Sequence, residues 1–485
     1  MRQHTLPSVL VLLILFFAGC DTPAPVEHSS TEIDFREDPF ILDLQERTFQ
    51  WFWETTPDST GLTPDRHPKR PFSSVAAVGF ALTAYGVGAE NGYVSRQEAA
   101  QRTKKTLAYF WNAPVGEQPE GVIGHHGFFY HFLHMDTGTR YRQTELSSID
   151  TALFMAGALF AQSYFDGDDP VERDIRAYAD SLYRRVEWTW FQRDKAPLIT
   201  MGHRPERGGF GQAAYQGYNE AMILYILALG APTHSIDADA WSAYTSTYQW
   251  GEFFGQEMVQ FSPLFGHQYS HVWIDFRGIF DEYMREKGID YFENSRRATL
   301  SQQAFAMNNP NGFKEYGEFM WGLTASDGPA GEWHIHNGDS VRFRRYWARG
   351  ASLRHVNDDG TIAPTAAGGS LPFAPDIVVP TLKNFHDRYE DHVFNEYGFV
   401  DAFNPSFTFE GADIEFGHVD PELGWFDSEQ LGIDQGPIVL MIENYRSELV
   451  WDVMKTNPYI VQGLCKAGFR GGWLESPCTT ENASG

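Results

Sequence analysis

Three apolar stretches decide the fold: SSVAAVGFALTAYGVGA at residues 73–89, IDTALFMAGALF at 149–160 and GPIVLMI at 436–442. Each is apolar on nearly every side of a helix, as helices surrounded by other helices are. Residues 95–112 and 170–193 also have the helical period but carry charges at regular intervals, as half-exposed helices do. Fully buried helices and half-exposed helices are therefore expected to alternate along the chain. This alternation predicts an inner ring of helices wrapped by an outer ring.

The helical period recurs about twelve times after Asp38. The predicted helices cover residues 38–54, 73–89, 95–112, 145–166, 170–193, 217–230, 237–256, 273–287, 290–308, 372–390, 434–455 and 457–467. This number fits an all-α fold, an (α/α)6 toroid built from six helical hairpins. The alternative is a helical solenoid, but the sequence shows no solenoid repeat.

Three long segments rich in glycine, histidine and aromatic residues separate the predicted helices, at 113–144, 196–216 and 309–371. Loops of this length in a compact domain are usually functional. In a toroid, we expect them to gather at one mouth of the barrel. Residues 325–371 and 400–430 are expected to include a few strands.

The first 20 residues have the form of a bacterial lipoprotein signal peptide. An apolar run follows Arg2 and His4, and small residues then lead to Cys20, which a lipobox would lipidate. Simple export with an unmodified Cys20 is the alternative. We expect an exported protein anchored by lipid to a bacterial membrane, in the periplasm or at the cell surface. The predicted organisation is a signal peptide at 1–20, a polar tether at 21–37, the toroid domain at 38–470 and a C-terminal tail at 471–485.

Composition excludes one class of partner and favours another. The 37 basic and 64 acidic residues give a formal net charge of −27, which argues against binding nucleic acid through its phosphates. Aromatic residues make up 15% of the chain, a density that suits a large core or a surface that stacks on sugar rings. No CxxC pair and no HExxH motif occurs, so we expect no metal. A monomer is expected.

Two cysteines remain besides Cys20, and both lie near the C-terminus. Cys465 and Cys478 would close a short loop. In an oxidising compartment we expect a disulfide between them, and two unpaired thiols are the alternative.

Carboxylates stand where long loops meet apolar helices. Glu145 and Asp150 lie in TELSSID, and the apolar neighbours of Asp150 predict that its carboxylate is partly buried, which shifts a pKa. Alternatively, both acids only complement the helix dipole. Glu220 opens the next apolar helix beside Tyr215 and Tyr218, which we expect to wall a pocket. A glutamate against aromatic walls gains the raised pKa of a general acid, although an ordinary first-turn glutamate is the alternative.

Two further acids are candidates, and rings surround the whole set. Asp434 in GIDQGP is either catalytic or the N-cap of its helix, and Asp401 is a loop acid beside aromatic residues. Polar side chains mixed with flat rings suit a neutral carbohydrate. Trp273 is predicted to be a sugar platform, with core packing as the alternative. The candidate substrate-binding residues are Tyr215, Tyr218, His126, His271, Trp273, Glu332, Trp333 and Trp425.

Seven blocks resemble the bacterial glucoamylase-like domain of the β-1,2-glucanases, glycoside hydrolase family 144. They are YQGYNEAMILYILALGAPTH, PLFGHQYSHVWIDFRG, GIDYFENSRRATLSQQAFA, YGEFMWGLTASDGP, DGTIAPTAAGGSLPFAPDIVVPTLKNF, YGFVDAFNPS and GIDQGPIVLMIENYRS. The resemblance runs in order from about Phe40 to Phe469 and is looser before residue 200. It implies an (α/α)6 toroid, without metal or organic cofactor, that hydrolyses β-1,2-glucan with inversion at the anomeric carbon.

The resemblance also bears on the candidate residues. It favours Glu220 as the general acid and places Glu145 and Asp150 in the acidic pocket, but it leaves the base open. Our order for the base is Asp150, then Asp401, then Asp434 or Glu145. We predict an endo-acting glycoside hydrolase whose partner is a β-glucan oligosaccharide or polysaccharide.

Two alternatives to this function remain. They are an exo-acting hydrolase that releases disaccharide and a non-catalytic glycan-binding lipoprotein. Several carboxylates beside apolar helix starts favour the enzyme, because a binding protein has no need of them.

Overall fold

Helices dominate the computed structural model, which describes Met1 and residues 34–480. In chain order they are α1 (Pro39–Thr55), α2 (Val75–Glu90), α3 (Arg96–Asn112), α4 (Ser148–Tyr164), α5 (Pro170–Arg185), α6 (Met222–Gly230), α7 (Asp239–Thr245), α8 (Tyr269–Trp273), α9 (Glu282–Lys287), α10 (Tyr291–Asn308), α11 (Pro364–Gly368), α12 (Pro375–Val393), α13 (Gly432–Arg446), α14 (Leu449–Lys455), α15 (Pro458–Lys466) and α16 (Glu475–Thr480). Cys20 and the predicted lipobox lie outside the described residues. Within those residues, the search for a helix long and apolar enough to cross a membrane finds none.

Six of the described helices form the predicted inner ring: α2, α4, α6, α8, α11 and α13. α2 contacts α4, α4 contacts α6, α6 contacts α8, and α11 contacts α13, which returns to α2. The Gln268 side chain, at the start of α8, donates to the Ala366 carbonyl of α11 at 2.9 Å and so joins those two. The apolar stretches of the sequence are these inner helices, and α2 is buried along all but its last turn. The fold class predicted from the sequence is confirmed as an α/α toroid.

Two inner helices approach each other unusually closely. A Cβ atom added at Gly157 of α4 would lie 2.0 Å from the carbonyl oxygen of Gly79 on α2. Both positions therefore require glycine, because any side chain would push the two backbones apart. The outer helices wrap this ring: α1 contacts α2 and α13, α3 and α5 contact each other and α2 or α4, and α12 contacts α11.

Short strands occupy the connections between helices and pair antiparallel in sheets of two or three strands. They are β1 (Arg66–His67), β2 (Ser73–Ser74), β3 (Gly124–His125), β4 (Phe128–Phe129), β5 (Phe132–Leu133), β6 (Leu146–Ser147), β7 (Gly202–Arg204), β8 (Gly209–Phe210), β9 (Trp250–Phe253), β10 (Gln256–Val259), β11 (Ala325–Ser326), β12 (Trp333–His336), β13 (Asp339–Arg342), β14 (Trp347–Ala348), β15 (Gly350–Ala351), β16 (Val356–Asn357), β17 (Phe394–Asn395), β18 (Gly398–Phe399), β19 (Phe403–Asn404), β20 (His418–Asp420), β21 (Gly424–Phe426) and β22 (Gln430–Leu431). The strands expected within 325–371 and 400–430 are confirmed.

Four predicted helices are wrong in part: the one at 434–455 is interrupted between Arg446 and Leu449, the one at 170–193 ends at Arg185, and two others differ more. The helix predicted at 237–256 ends at Thr245, and β9 and β10 then form a hairpin. Its two-residue turn places Phe254 at φ 46° and Gly255 at φ 77°, a left-handed pair that suits a hairpin and stops a helix. The helix predicted at 273–287 is interrupted, because α8 ends at Trp273 and α9 begins at Glu282.

The C-terminal segment is tied to the barrel. Cys465 of α15 and Cys478 of α16 form a disulfide with their Cα atoms 5.4 Å apart. This confirms the expected pair. α15 in turn packs on the inner helix α6.

Candidate active site

The acids singled out in the sequence stand at the starts of inner helices. Asp150 is the third residue of α4, Asp434 is the third residue of α13, and Glu220 precedes α6 by two residues. Tyr269, the first residue of α8, interacts electrostatically with Asp434, Glu220 and Asp401, which shows that the acids from separate helices converge.

One half of the site is a network around His131. His131 Nδ1 lies 3.1 Å from Glu145 Oε1, and its Nε2 lies 3.5 Å from Asp150 Oδ1. Burial alone would lower the pKa of His131, but the charges of Asp150 and Glu145 raise it to about 9. The imidazole is therefore a cation at neutral pH, held between two carboxylates.

Both of these carboxylates have protein partners on each side. Glu145 also pairs with Arg204, and His131 and Arg204 together outweigh burial and lower the pKa of Glu145 to about 2. Asp150 accepts a hydrogen bond from Ser147, the N-cap of α4, and its backbone N–H donates back to the Ser147 hydroxyl at 3.2 Å. Asp150 is thus both a first-turn acid and a member of the pocket, and Glu145 is an ionised anchor for His131.

Glu220 differs from these acids in its protonation. Burial, with a smaller contribution from the charge of Asp150, raises the pKa of Glu220 to about 7. Tyr215 is buried and interacts electrostatically with Glu220, Asp150 and Glu145. Glu220 therefore retains a proton at neutral pH in a fraction large enough to donate it.

The other half of the site is a group of buried aspartates. Asp401 Oδ2 accepts a hydrogen bond from the Asp327 backbone N–H at 2.7 Å, and Arg66 pairs with Asp327 at 2.7 Å. Burial and the charge of Asp401 hold the pKa of Asp434 well above its usual range. Asp401 Oδ1 and Asp434 Oδ2 have no hydrogen-bond partner among the described residues. Two facing carboxylates with unpaired oxygens share a proton more readily than they both ionise.

Three acids of this half are also close enough to hold an ion. One oxygen from each of Asp327, Asp401 and Asp427 lies within 4.8 Å of the others. Arg66 already supplies a positive charge to Asp327, and burial raises the pKa of Asp427. The negative charge of these three aspartates is therefore compensated by Arg66 and by protons that the carboxyl groups retain, as a bound cation would otherwise compensate it.

Several residues predicted to contact substrate are in the core instead. Trp273 is fully buried, stacks on Phe80 at 5.0 Å and donates a hydrogen bond to Thr83 at 3.0 Å. His271 is fully buried and neutral, because burial lowers its pKa to about 3. Both side chains lie in the interior between inner helices, so the exposed platform predicted at Trp273 is wrong.

Trp425 and Tyr218 are buried as well. Trp425 lies in β21, where its indole donates to the Phe416 carbonyl at 2.9 Å. Tyr218 packs among Tyr248, His267 and Tyr291 and borders a cavity next to the Glu220 loop. Their rings are not free to stack on a sugar, because neighbouring side chains cover them.

The remaining predicted contacts lie in exposed loops. His126 pairs with Glu187 at 2.8 Å and stacks on Trp190. Glu332 hydrogen-bonds His334 across β12, and Trp333 on the same strand is 63% exposed. Trp333 is therefore a ring with a free face, and its role in binding glucan stays a prediction.

Arg66, Asp327 and Arg204 were not predicted from the sequence, and neither was the position of His131 between Glu145 and Asp150. Asp327 lies in the SDGP turn of a block quoted above, and Asp65 and Arg66 lie in TPDRHP before α2. Asp65 and Arg66 could have been predicted as site residues, because they form a charged pair shortly before an apolar helix, as the other candidate acids do. Nothing in the sequence pairs Arg66 with Asp327, because the two are 261 residues apart.

Residues 212–458, about half of the chain, match the protein family described as "Putative glucoamylase". The chain belongs to this glucoamylase family. The matched stretch begins before Glu220 and ends after α13, so it includes Asp327, Asp401 and Asp434. Glu145 and Asp150 precede it.

Three relatives of this glucoamylase-family protein extend the comparison. An exo β-1,2-glucooligosaccharide sophorohydrolase (non-reducing end) from Parabacteroides distasonis is 27% identical over 90% of this chain and 59% of its own length. The chain thus spans about three fifths of that curated relative. The endo-β-1,2-glucanase of Chitinophaga pinensis, solved with sophorotriose and glucose, is 27% identical with a TM-score of 0.75 and covers 90% of this chain and 99% of its own. A solved β-1,2-glucanase from P. distasonis is 27% identical with a TM-score of 0.73, over 88% of this chain and 60% of its own. The resemblance drawn from the seven sequence blocks is confirmed.

Proposed function

We propose that this protein is an endo-acting glycoside hydrolase that cleaves β-1,2-glucan with inversion at the anomeric carbon. The observation that carries the proposal is Glu220, a carboxyl group whose pKa is raised to about 7 beside an ionised acidic network. The printed activities of the relatives from P. distasonis and C. pinensis support the linkage. Glycoside hydrolysis requires one protonated carboxyl group as the acid and one ionised carboxylate as the base.

Glu220 acts as the general acid. In its protonated form it donates a proton to the glycosidic oxygen as the bond to the leaving sugar breaks. A pKa near neutrality is best for a general acid, because a large fraction of the group is protonated and the proton is still readily given up. The Asp150 carboxylate, which lies beside the His131 cation, contributes to the raised pKa of Glu220.

Asp401 acts as the general base in this proposal. Asp150, the first choice from the sequence, has one oxygen engaged by Ser147 and the other near His131. Burial and the charge of Asp327 raise the pKa of Asp401 to about 7, and the pKa of Asp434 is held well above its usual range, so Asp401 is the member of the pair that gives up its proton first. Asp401 Oδ1, without a partner among the described residues, is free to accept a proton from the attacking water.

Space on two sides of the acids supports endo action. A cavity of about 390 Å³ begins at Gln216 and Tyr218, next to the Glu220 loop. A second cavity of about 550 Å³ is bordered by Arg66, Asp327 and Tyr346, on the side of the buried aspartates. A glucan bound through sugars on both sides of the cleaved bond is the substrate of an endo-acting enzyme.

The test is a product profile over time. Linear β-1,2-glucan is incubated with the full-length protein beside β-1,3-glucan, β-1,4-glucan and starch. We expect a ladder of oligosaccharides from β-1,2-glucan alone, whereas disaccharide as the sole early product indicates exo action. Binding of β-1,2-glucan without any product would contradict the enzymatic proposal.

Two substitutions assign the roles. Glu220→Gln keeps the shape and removes the proton, so we expect kcat to fall at least roughly 10²-fold with glucan binding retained. Asp401→Asn is expected to cost as much, and Asp150→Asn less. The base assignment is wrong if Asp150→Asn abolishes turnover while Asp401→Asn keeps near-normal kcat.

We also propose that the protein is exported and anchored by lipid at Cys20. The lipobox sequence supports this, and so does the Cys465–Cys478 disulfide, because disulfides persist in oxidising compartments. The acyl chains are the membrane attachment in this proposal, so Cys20→Ser should move the exported protein from the membrane fraction to the soluble fraction. Continued partition with membranes would require another anchor.

A further inference from the structure

The larger cavity beside the buried aspartates carries positive charge. Its lining includes Arg66, Lys69 and Arg70 together with Phe72, Asp327, Tyr346, Glu415 and Phe416. This is unusual in a protein with a formal net charge of −27. The cavity adjoins the proposed base through Asp327, whose backbone N–H binds Asp401.

The segment that carries these cations is held in place. Arg66 and His67 form β1, which pairs with Leu431 and Gln430 of β22, directly before α13. The Lys69 backbone N–H donates to Glu429 at 3.1 Å. The charged groups of Arg66 and Lys69 lie over the ring of Phe416, at 4.6 and 4.3 Å from its centroid. The backbone that carries the cations is therefore held near the start of α13.

Two of the three cations lack an acidic partner. Arg66 is neutralised by Asp327 at 2.7 Å, and Glu415 lies 3.6 Å from Arg345. Within residues 34–480, no carboxylate lies within 4.0 Å of the charged nitrogens of Lys69 or Arg70. Arg70 Nε hydrogen-bonds the His67 ring at 3.4 Å, and Lys69 Nζ donates to the Glu415 carbonyl at 3.5 Å, while the charge of Lys69 acts on Glu429 from beyond ion-pair distance. Both charges are thus available to a ligand.

We propose that this cavity binds a negatively charged group carried by the glucan, a carboxylate or phosphate ester on a sugar near the cleaved bond. Lys69 and Arg70 pair with the anion, and the rings of Tyr346 and Phe72 border the sugar that carries it. This inference rests on the proposed function. A wholly neutral glucan would leave the two cations without a partner in the complex.

The test compares a β-1,2-glucooligosaccharide of defined length with its succinylated and phosphorylated forms. The ratio of kcat/KM for the charged form to that for the neutral form is measured with the full-length protein. We expect Lys69→Gln/Arg70→Gln to lower this ratio by roughly three- to tenfold, since Lys69 and Arg70 are exposed and each exposed ion pair contributes modestly. The control is Arg173→Gln/Lys195→Gln, which removes the same two charges outside the cavity lining and should leave the ratio unchanged. In about 1 M salt, where the screening length is about 3 Å, the wild-type preference should largely disappear.

The outcomes separate this inference from the proposed function. A drop in the ratio for one charged form only identifies the anion, and inorganic phosphate or free succinate as competitor shows whether the anion must be attached to the sugar. An unchanged ratio, or equal losses on charged and neutral glucan, overturns the inference while leaving the hydrolase proposal standing. If wild-type protein cleaves none of the glucans, the hydrolase proposal fails. The inference is then decided by calorimetric Kd values for the same oligosaccharides.

Discussion

Trp273→Ala tests whether this ring holds the barrel together. Trp273 of α8 is fully buried and reaches α2, where it stacks on Phe80 at 5.0 Å and donates to Thr83 at 3.0 Å. Truncating a buried tryptophan costs about 3–5 kcal/mol through lost burial and the cavity left behind. The hydroxyl of Thr83 keeps its bond to the Gly79 carbonyl at 3.2 Å, so no large penalty for an orphaned partner is added.

This cost translates into a modest shift of the melting temperature in a protein of this size. The unfolding entropy of about 2.1 cal/mol/K per residue gives about 0.9 kcal/mol/K for a unit of about 450 residues. A loss of about 4 kcal/mol therefore lowers Tm by about 4 °C. The measurement is thermal unfolding of Trp273→Ala followed by calorimetry, with KM for β-1,2-glucan determined on the folded protein.

The matched control is Trp333→Ala, because Trp333 is 63% exposed on β12. We expect its Tm to stay within about 1 °C of wild type, since exposed substitutions change stability by about 0.5 kcal/mol or less. An increase in KM would support its predicted contact with glucan. An unchanged Tm in Trp273→Ala together with a raised KM would refute the assignment of Trp273 to the core.

Three further outcomes can be measured. With Glu220 as the acid, kcat/KM should fall as pH rises through about 7, because the proton is lost there, and a flat profile between pH 6 and 8 would contradict its role. His131 has a folded pKa of about 9, above its ordinary value of 6.5, so its stabilisation is complete below about pH 6.5 and is lost as pH rises through about 9. Tm should decline over that window in wild type, and His131→Gln should remove this part of the decline; equal slopes for the two proteins would show that the ion network contributes nothing. Cys478→Ser opens the loop closed by the disulfide with Cys465, which should cost about 3 kcal/mol and lower Tm by about 3 °C, and the same Tm for both proteins under oxidising conditions would refute this estimate.

Local pattern was enough for much of the barrel. The helical period placed the starts of α2, α4 and α13 within a few residues, because helices that are apolar on all sides leave an unmistakable signal. The acids at their first turns could be predicted for the same reason: the position of a residue on a helix follows from the helix boundary. Residues 237–256 failed, because the positive φ angles of Phe254 and Gly255 favour a hairpin over a mixed polar and aromatic helix.

The pairing of distant residues was decided only by the tertiary structure. Glu145, Asp150 and Glu220 were singled out in the sequence, but the His131 cation that couples the first two and the Arg66–Asp327 pair depend on contacts between loops far apart in the chain. The burial of Trp273 and His271 likewise follows from ring closure, which brings α8 against α2 and encloses a segment whose polar neighbours suggested exposure. Sequence alone identified α2, α4 and α13 as inner helices and the acids near their starts, because those are local properties, whereas α11 lies in a predicted loop and α8 meets a predicted helix only at Trp273. Only the closed ring determined which of the acids keep a proton, because a pKa depends on burial and on charges that the chain brings together from a distance.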